Sequence, residues 1–237
     1  EYAMLAARMT ENALVMVPGY HLGEKDHKFH LQAHHSEALE IEKLKELDWQ
    51  ENGYRLFKWA CWSSSNQRGY LQPMQECNAL FCSAENFRRI EGADARFDQA
   101  GGGSINLYLY RKLGMLSEIV LYVLPGEGSF HQFHGGVTTQ ELSEDDTRRA
   151  VLKSFDTRLE EVWGGPFKAL TREPILLGAV THWAQPFLEN ASEMASQRFA
   201  RLTANKKPFW DDDASFHRFT ENAVSCLNDG YERPAIM

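Results

Sequence analysis

The chain has 237 residues, of which 43% are hydrophobic and 24% charged, a balance that excludes intrinsic disorder and suits one large domain or a domain with an appendage. A net charge of −8, without any Lys/Arg cluster long enough to track a phosphate backbone, argues against a nucleic-acid partner. The longest apolar run, Ile119 to Leu124, is far shorter than the ~20 residues of a membrane-spanning helix, and no basic segment leads the chain, so a soluble, cytoplasmic protein is expected.

Tyr2 to Met9 reads as a helix, with Met4, Leu5 and Met9 at helical spacing. Leu14 to Val17 reads as a short buried strand stopped by Pro18-Gly19. His27 to Gln50 carries Leu39, Leu44 and Leu47 among charged neighbours and is expected to be helical up to Asn52-Gly53. Tyr54 to Trp59 alternates like a strand, and Ala79 to Cys82 forms another. Ser83 is placed to cap a helix over Ala84 to Ile90. After the glycines Gly101-Gly102-Gly103, Ser104 heads a helix bearing Leu107, Leu109 and Leu113, and Ile119 to Leu124 is a strongly apolar strand. From about residue 141 the pattern becomes long charged helices, Ser143 to Trp163, Trp183 to Leu202 and Ala214 to Asn228. The expected division is a strand-helix region over 1–140 and a helical extension over 141–237.

Five places offer chemistry. His131 and His134 follow the apolar strand and its Pro125-Gly126 stop, flanked by Glu127 and Gly135-Gly136; imidazole suits metal or phosphate, although the spacing is not that of HExxH. The alternative is that Phe130 and Phe133 are core and the histidines bond backbone. Gly101-Gly102-Gly103 before a helix start offers backbone N–H groups to an anion or to sugar hydroxyls, or is simply a turn. The His-rich stretch His21, His27, His30, His34 and His35 is another, with His27, His30 and His34 on one helical face, which is more often solvated than metal-bound. Asp211-Asp212-Asp213 suits a helix start. Glu76 lies between a loop and a strand, a plausible place for a polar site group. The four cysteines lack zinc-knuckle spacing and read as reduced thiols.

Glu76-Cys77-Asn78-Ala79-Leu80-Phe81, then Phe87 to Phe97, Gly101 to Arg111, and Gly126 to Gly136 (GEGSFHQFHGG) follow one another in an order that resembles family-2-like GT-A glycosyltransferases of bacterial type. The resemblance covers about residues 1 to 180 and implies an α/β fold, a partial GT-A-like mixed sheet flanked by helices with a mostly helical C-terminal tail. It also implies a nucleotide-sugar donor, an acceptor, and a divalent metal (Mn or Mg) that neutralises the diphosphate leaving group. On this reading His131 and His134 contact the metal, Glu127 is the catalytic base, and Gly102, Gly103, Asn106 and Glu76 bind substrate. The family's Asp-x-Asp element would lie upstream of Glu1, and Ser104-Ile105-Asn106 stands where relatives carry acids after the glycines. Two other readings compete: a non-catalytic interaction domain derived from a glycosyltransferase, and a His-based metallohydrolase.

Overall fold

The fold is known from a computed structural model, in which residues 1–27, 35–63, 66, 68–74, 78–134, 145–166 and 170–204 are described. It is mixed α/β. The four-stranded sheet runs β4-β1-β5-β7, built from Ala79–Cys82 (β4), Ala13–Val17 (β1), Val120–Val123 (β5) and Ile175–Leu176 (β7). The three-stranded sheet runs β3-β2-β6, from Ala60–Trp62 (β3), Gly19–Leu22 (β2) and Ser129–His131 (β6).

β1 is central and buried on both faces, which is why it reads as an unbroken apolar run rather than an alternating one. Ala13, Val15 and Val17 face Ala3 and Ala6 of helix α1 (Tyr2–Ala7). Leu14 and Met16 face a larger core with Tyr110 and Leu113 of α4 (Ile105–Gly114) and Leu188, Ala191 and Ala195 of α6 (Gln185–Ala204). Helices therefore cover both faces of the sheet. Residues beyond 140 share this core: β7 pairs in parallel with β5, and α6 supplies three of its fully buried side chains. Helix α5 (Asp145–Trp163) packs through Leu159 against Phe97 and Tyr108.

Pro18 does not end the first strand so much as redirect it. Proline cannot donate to a ladder, and at this point the chain leaves the first sheet and continues as β2 in the second. The Pro18 carbonyl accepts from Ser129 N–H at 3.0 Å, and the Gly19 carbonyl accepts from Ser63 N–H at 3.2 Å. A second segment of the chain makes the same passage: β5 runs parallel to β1, and β6 runs parallel to β2. Between them, Gly126 approaches the Ala179 carbonyl so closely that a Cβ would stand 1.9 Å from the oxygen.

The segment expected as a strand over Tyr54 to Trp59 is instead a 3-10 helix over Gly53–Trp59, begun by Asn52, whose side chain accepts from Tyr54 N–H at 3.1 Å. In a strand Tyr54 and Phe57 would point to opposite faces. A 3-10 turn puts residues three apart on one side, and both join the aromatic cluster around Tyr20. Within the stretch expected as a helix over His27 to Gln50, α2 occupies Glu37–Leu47, and its N-cap Ser36 accepts from Leu39 N–H at 3.2 Å. Ser83 caps α3 (Ala84–Arg89) by accepting from Asn86 N–H at 3.1 Å. The expected helix over Ala214 to Asn228, with Asp211-Asp212-Asp213, lies outside the described residues.

Candidate metal centre

The alternation of the three-stranded sheet sorts its side chains into two rows. Trp62, Tyr20 and Phe130 occupy matched positions on β3, β2 and β6. Tyr20 stacks on both neighbours, with ring centroids 5.0 Å from Trp62 and 5.6 Å from Phe130, and Phe57 and Phe187 close the cluster edge-on. One residue further along, the row is Cys61, His21 and His131. Because successive side chains alternate across a strand, the aromatic row anchors the sheet and the second row faces the other way.

Onto this second row fold residues that the chain supplies just after β2 and at the start of α2. His21 and His131 stack at 4.8 Å, His27 meets His21 edge-on at 4.6 Å, and His35 lies 4.7 Å from His27. His134 sits 4.9 Å from His131. Phe133 contacts the rings of both His27 and His35, and Trp59, at the end of the 3-10 helix, stacks on His35. Four polar members are buried: His21, Asp26, His27 and Glu40, with His27 only 1% exposed and Glu40 2%.

Hydrogen bonds fix the tautomers. His21 Nδ1 accepts from the His27 backbone N–H at 3.2 Å, and His21 Nε2 faces the Asp26 carboxylate at 3.8 Å. His27 Nε2 lies 2.7 Å from the Leu22 carbonyl, which can only accept, so this nitrogen carries the proton. His27 Nδ1 is then an unprotonated lone pair, buried and with no hydrogen-bond partner among the described residues. Burial, assisted by the neighbouring His35 and His131 and opposed by the Leu22 bond and Asp26, lowers the His27 pKa to about 4, so the ring is neutral at physiological pH. Glu40 Oε1 accepts from Phe133 N–H at 2.8 Å and lies 3.2 Å from His35 Nε2 and 3.7 Å from His27 Nε2. The Cys61 thiol, on the neighbouring strand, is pushed up to about 12 by burial and by the Asp26 charge, which keeps it protonated.

His27, His35 and Glu40 each offer a ligand atom, and these atoms lie within 4.8 Å of one another, so this cluster could hold a metal ion. It differs from the pair expected from sequence. His131 lies inside the imidazole cluster and His134 at its edge, while the group with ligand spacing among the described residues is formed by the other three side chains. His30 and His34 lie outside the described residues. His21, His27 and His35 were visible as members of a His-rich stretch, but Glu40 was not singled out. The available signal was a histidine immediately before the helix cap Ser36, followed by an acid in the first helical turn.

The other expected site residues fall into two groups. Glu127 accepts from the Tyr54 hydroxyl at 2.7 Å, and burial raises its pKa despite that bond. The same 3-10 helix therefore touches Glu127 through Tyr54 and the imidazole cluster through Trp59. Gly102 and Gly103 both have positive φ, and a Cβ on Gly103 would stand 2.6 Å from Gln99 Oε1. Asn106 Nδ2 donates to Asn78 Oδ1 at 2.9 Å. Asn78 in turn borders Gly19, at the start of β2. Glu76 lies outside the described residues.

Among the described residues no helix is long and apolar enough to cross a membrane. No protein-family model, curated protein or solved structure matches the chain.

Proposed function

We propose that the chain is the acceptor-side part of a GT-A-type glycosyltransferase that moves a hexosyl group from a nucleotide-sugar to an acceptor hydroxyl. The observation that carries this reading is the position of the Gly126 to His134 run. Its Glu127 accepts from Tyr54 of the 3-10 helix, and its Phe133 N–H and His131 reach a buried cluster of imidazoles and a carboxylate. In this chemistry the acceptor oxygen bonds to the anomeric carbon, the carbon–oxygen bond to the diphosphate breaks, and the acceptor proton passes to a base. Glu127 is assigned that base: partial burial raises its proton affinity, and Tyr54 orients it. His131 or His134 would contact the metal-diphosphate, and a divalent cation there would offset the charge of the leaving group. Gly102, Gly103, Asn106 and Glu76 would shape the acceptor side.

Titration calorimetry with UDP- and GDP-sugars in the presence of Mn²⁺ tests this reading. Saturable heat with at least one donor is the expected result. A folded preparation that gives no heat with any donor overturns it in favour of a non-catalytic interaction domain. A second reading, metal-assisted hydrolysis, is favoured by one observation, a cluster of two histidines and a glutamate, which is the ligand set of several catalytic zinc hydrolases. Turnover of simple ester or amide substrates that disappears with chelation would support it.

A further inference from the structure

We propose that His27, His35 and Glu40 form a resident transition-metal site that takes Zn²⁺ in preference to Mg²⁺ or Mn²⁺, with one coordination position left for water or a ligand oxygen. Four observations lead there. First, the three side chains offer ligand atoms within 4.8 Å of one another, and His35 Nε2 and Glu40 Oε1 are 3.2 Å apart. Two donors bound to a tetrahedral zinc at about 2.0–2.1 Å are separated by roughly 3.3 Å. For His35 and Glu40, little movement is needed to seat an ion.

Second, His27 Nδ1 is a buried lone pair with no hydrogen-bond partner among the described residues. A buried polar atom left unpaired costs free energy unless something else claims it. An imidazole that donates one nitrogen to a carbonyl and keeps the other for a cation is the usual arrangement of a metal ligand. Third, Glu40 is 2% exposed, and among the described residues its side chain meets two histidines and a backbone N–H but no Lys or Arg. A buried carboxylate requires compensating charge, and a divalent ion provides it.

Fourth, the surroundings already hold the ligands. The Leu22 carbonyl fixes the tautomer of His27, Phe133 N–H fixes the Glu40 carboxylate, and Trp59 and Phe133 fix the plane of His35. Two imidazoles and one carboxylate form a nitrogen-rich set. Such sets favour zinc and its neighbours, whereas Mg²⁺ and Mn²⁺ prefer oxygen. Three protein ligands leave the fourth tetrahedral position open.

This inference stands apart from glycosyl transfer, because its readout is the ion and not the reaction. The chain is purified without a histidine tag, stripped with chelator, and titrated with Zn²⁺, Mg²⁺ and Mn²⁺ in competition with a chromophoric chelator. One tight Zn²⁺ per chain is expected, not displaced by excess Mg²⁺ or Mn²⁺. His35→Ala and Glu40→Gln should weaken Zn²⁺ by more than about 100-fold, since even loss of an outer partner costs 10–100-fold. His182→Ala, at a histidine away from the cluster, should leave it unchanged. Zn²⁺ held no more tightly than Mg²⁺, or undiminished in His35→Ala, overturns the proposal, as does equal loss in His182→Ala. If circular dichroism finds the cluster variants unfolded, Co²⁺ in the wild-type chain decides. Intense visible bands of a four-coordinate ion are expected, and the weak spectrum of an octahedral aqua ion overturns the site.

Discussion

At the scale of single residues, the second sheet contains polar atoms whose burial has consequences that can be measured. Tyr20 is fully buried at the centre of the aromatic cluster, its hydroxyl has no hydrogen-bond partner among the described residues, and burial pushes its ionisation upward. Tyr20→Phe should therefore raise stability by about 0.5–1 kcal/mol in urea denaturation, because the ring contacts remain and the unsatisfied group goes. Glu127 behaves similarly. Its raised pKa means that the folded state disfavours the charged form, so its contribution is unfavourable above that pKa and is relieved on acidification. Glu127→Gln should keep the Tyr54 bond and remain within roughly 0.5 kcal/mol of wild type or above it at pH 7, while any transferase activity falls. For His27 the sign is opposite in practice. Its folded pKa of about 4 lies below the unfolded 6.5, so the unfolded chain binds the proton first as pH drops. The metal-free protein should lose on the order of 2 kcal/mol between pH 6.5 and pH 4, seen as a falling denaturation midpoint, with little change above pH 7 from this residue.

At the scale of elements, connections are fixed by backbone groups that side chains claim. Arg172 donates from Nε to the Gly114 carbonyl at 2.8 Å and from its terminal nitrogens to the Ile119 and Leu116 carbonyls at 2.8 and 3.0 Å. It thereby holds the turn between α4 and β5. Arg172→Met should cost about 2 kcal/mol in thermal or chemical unfolding, since three carbonyls lose their donor while the packing volume is nearly kept. Gly126→Ala should cost about 2 kcal/mol or more, because the added Cβ meets the Ala179 carbonyl rather than a flexible side chain.

The elements legible in sequence were those whose signal is local: the apolar runs of β1 and β5, the Ser83 cap, and the charged helices α5 and α6. Tyr54 to Trp59 was misread because its alternation serves tertiary targets, with Tyr54 at Glu127, Phe57 in the aromatic cluster and Trp59 on His35. β2 was hidden because Pro18-Gly19 looks like a stop, and only the second sheet reveals it as a crossing.

At the scale of the molecule, two chain segments each traverse both sheets side by side, β1 into β2 and β5 into β6. The first sheet supplies the core and the second carries the imidazole cluster, so the fold is anchored at one end and chemically equipped at the other. Half of that cluster could be read from sequence, as His131, His134 and the stretch around His27. The grouping of His27 with His35 and Glu40 could not, because it depends on α2 beginning at Glu37 and on Phe133 N–H reaching back to Glu40. No periodicity encodes a contact between residues so far apart.

The parallel pairing of β2 with β6 sets His21 opposite His131, about a hundred residues away along the chain. Closing a loop of that length must precede any reward from the contact, so the cluster is completed only once the chain as far as β6 is available. During synthesis, the emerging chain exposes His21, His27 and Glu40 well before the strand that completes their surroundings has left the ribosome.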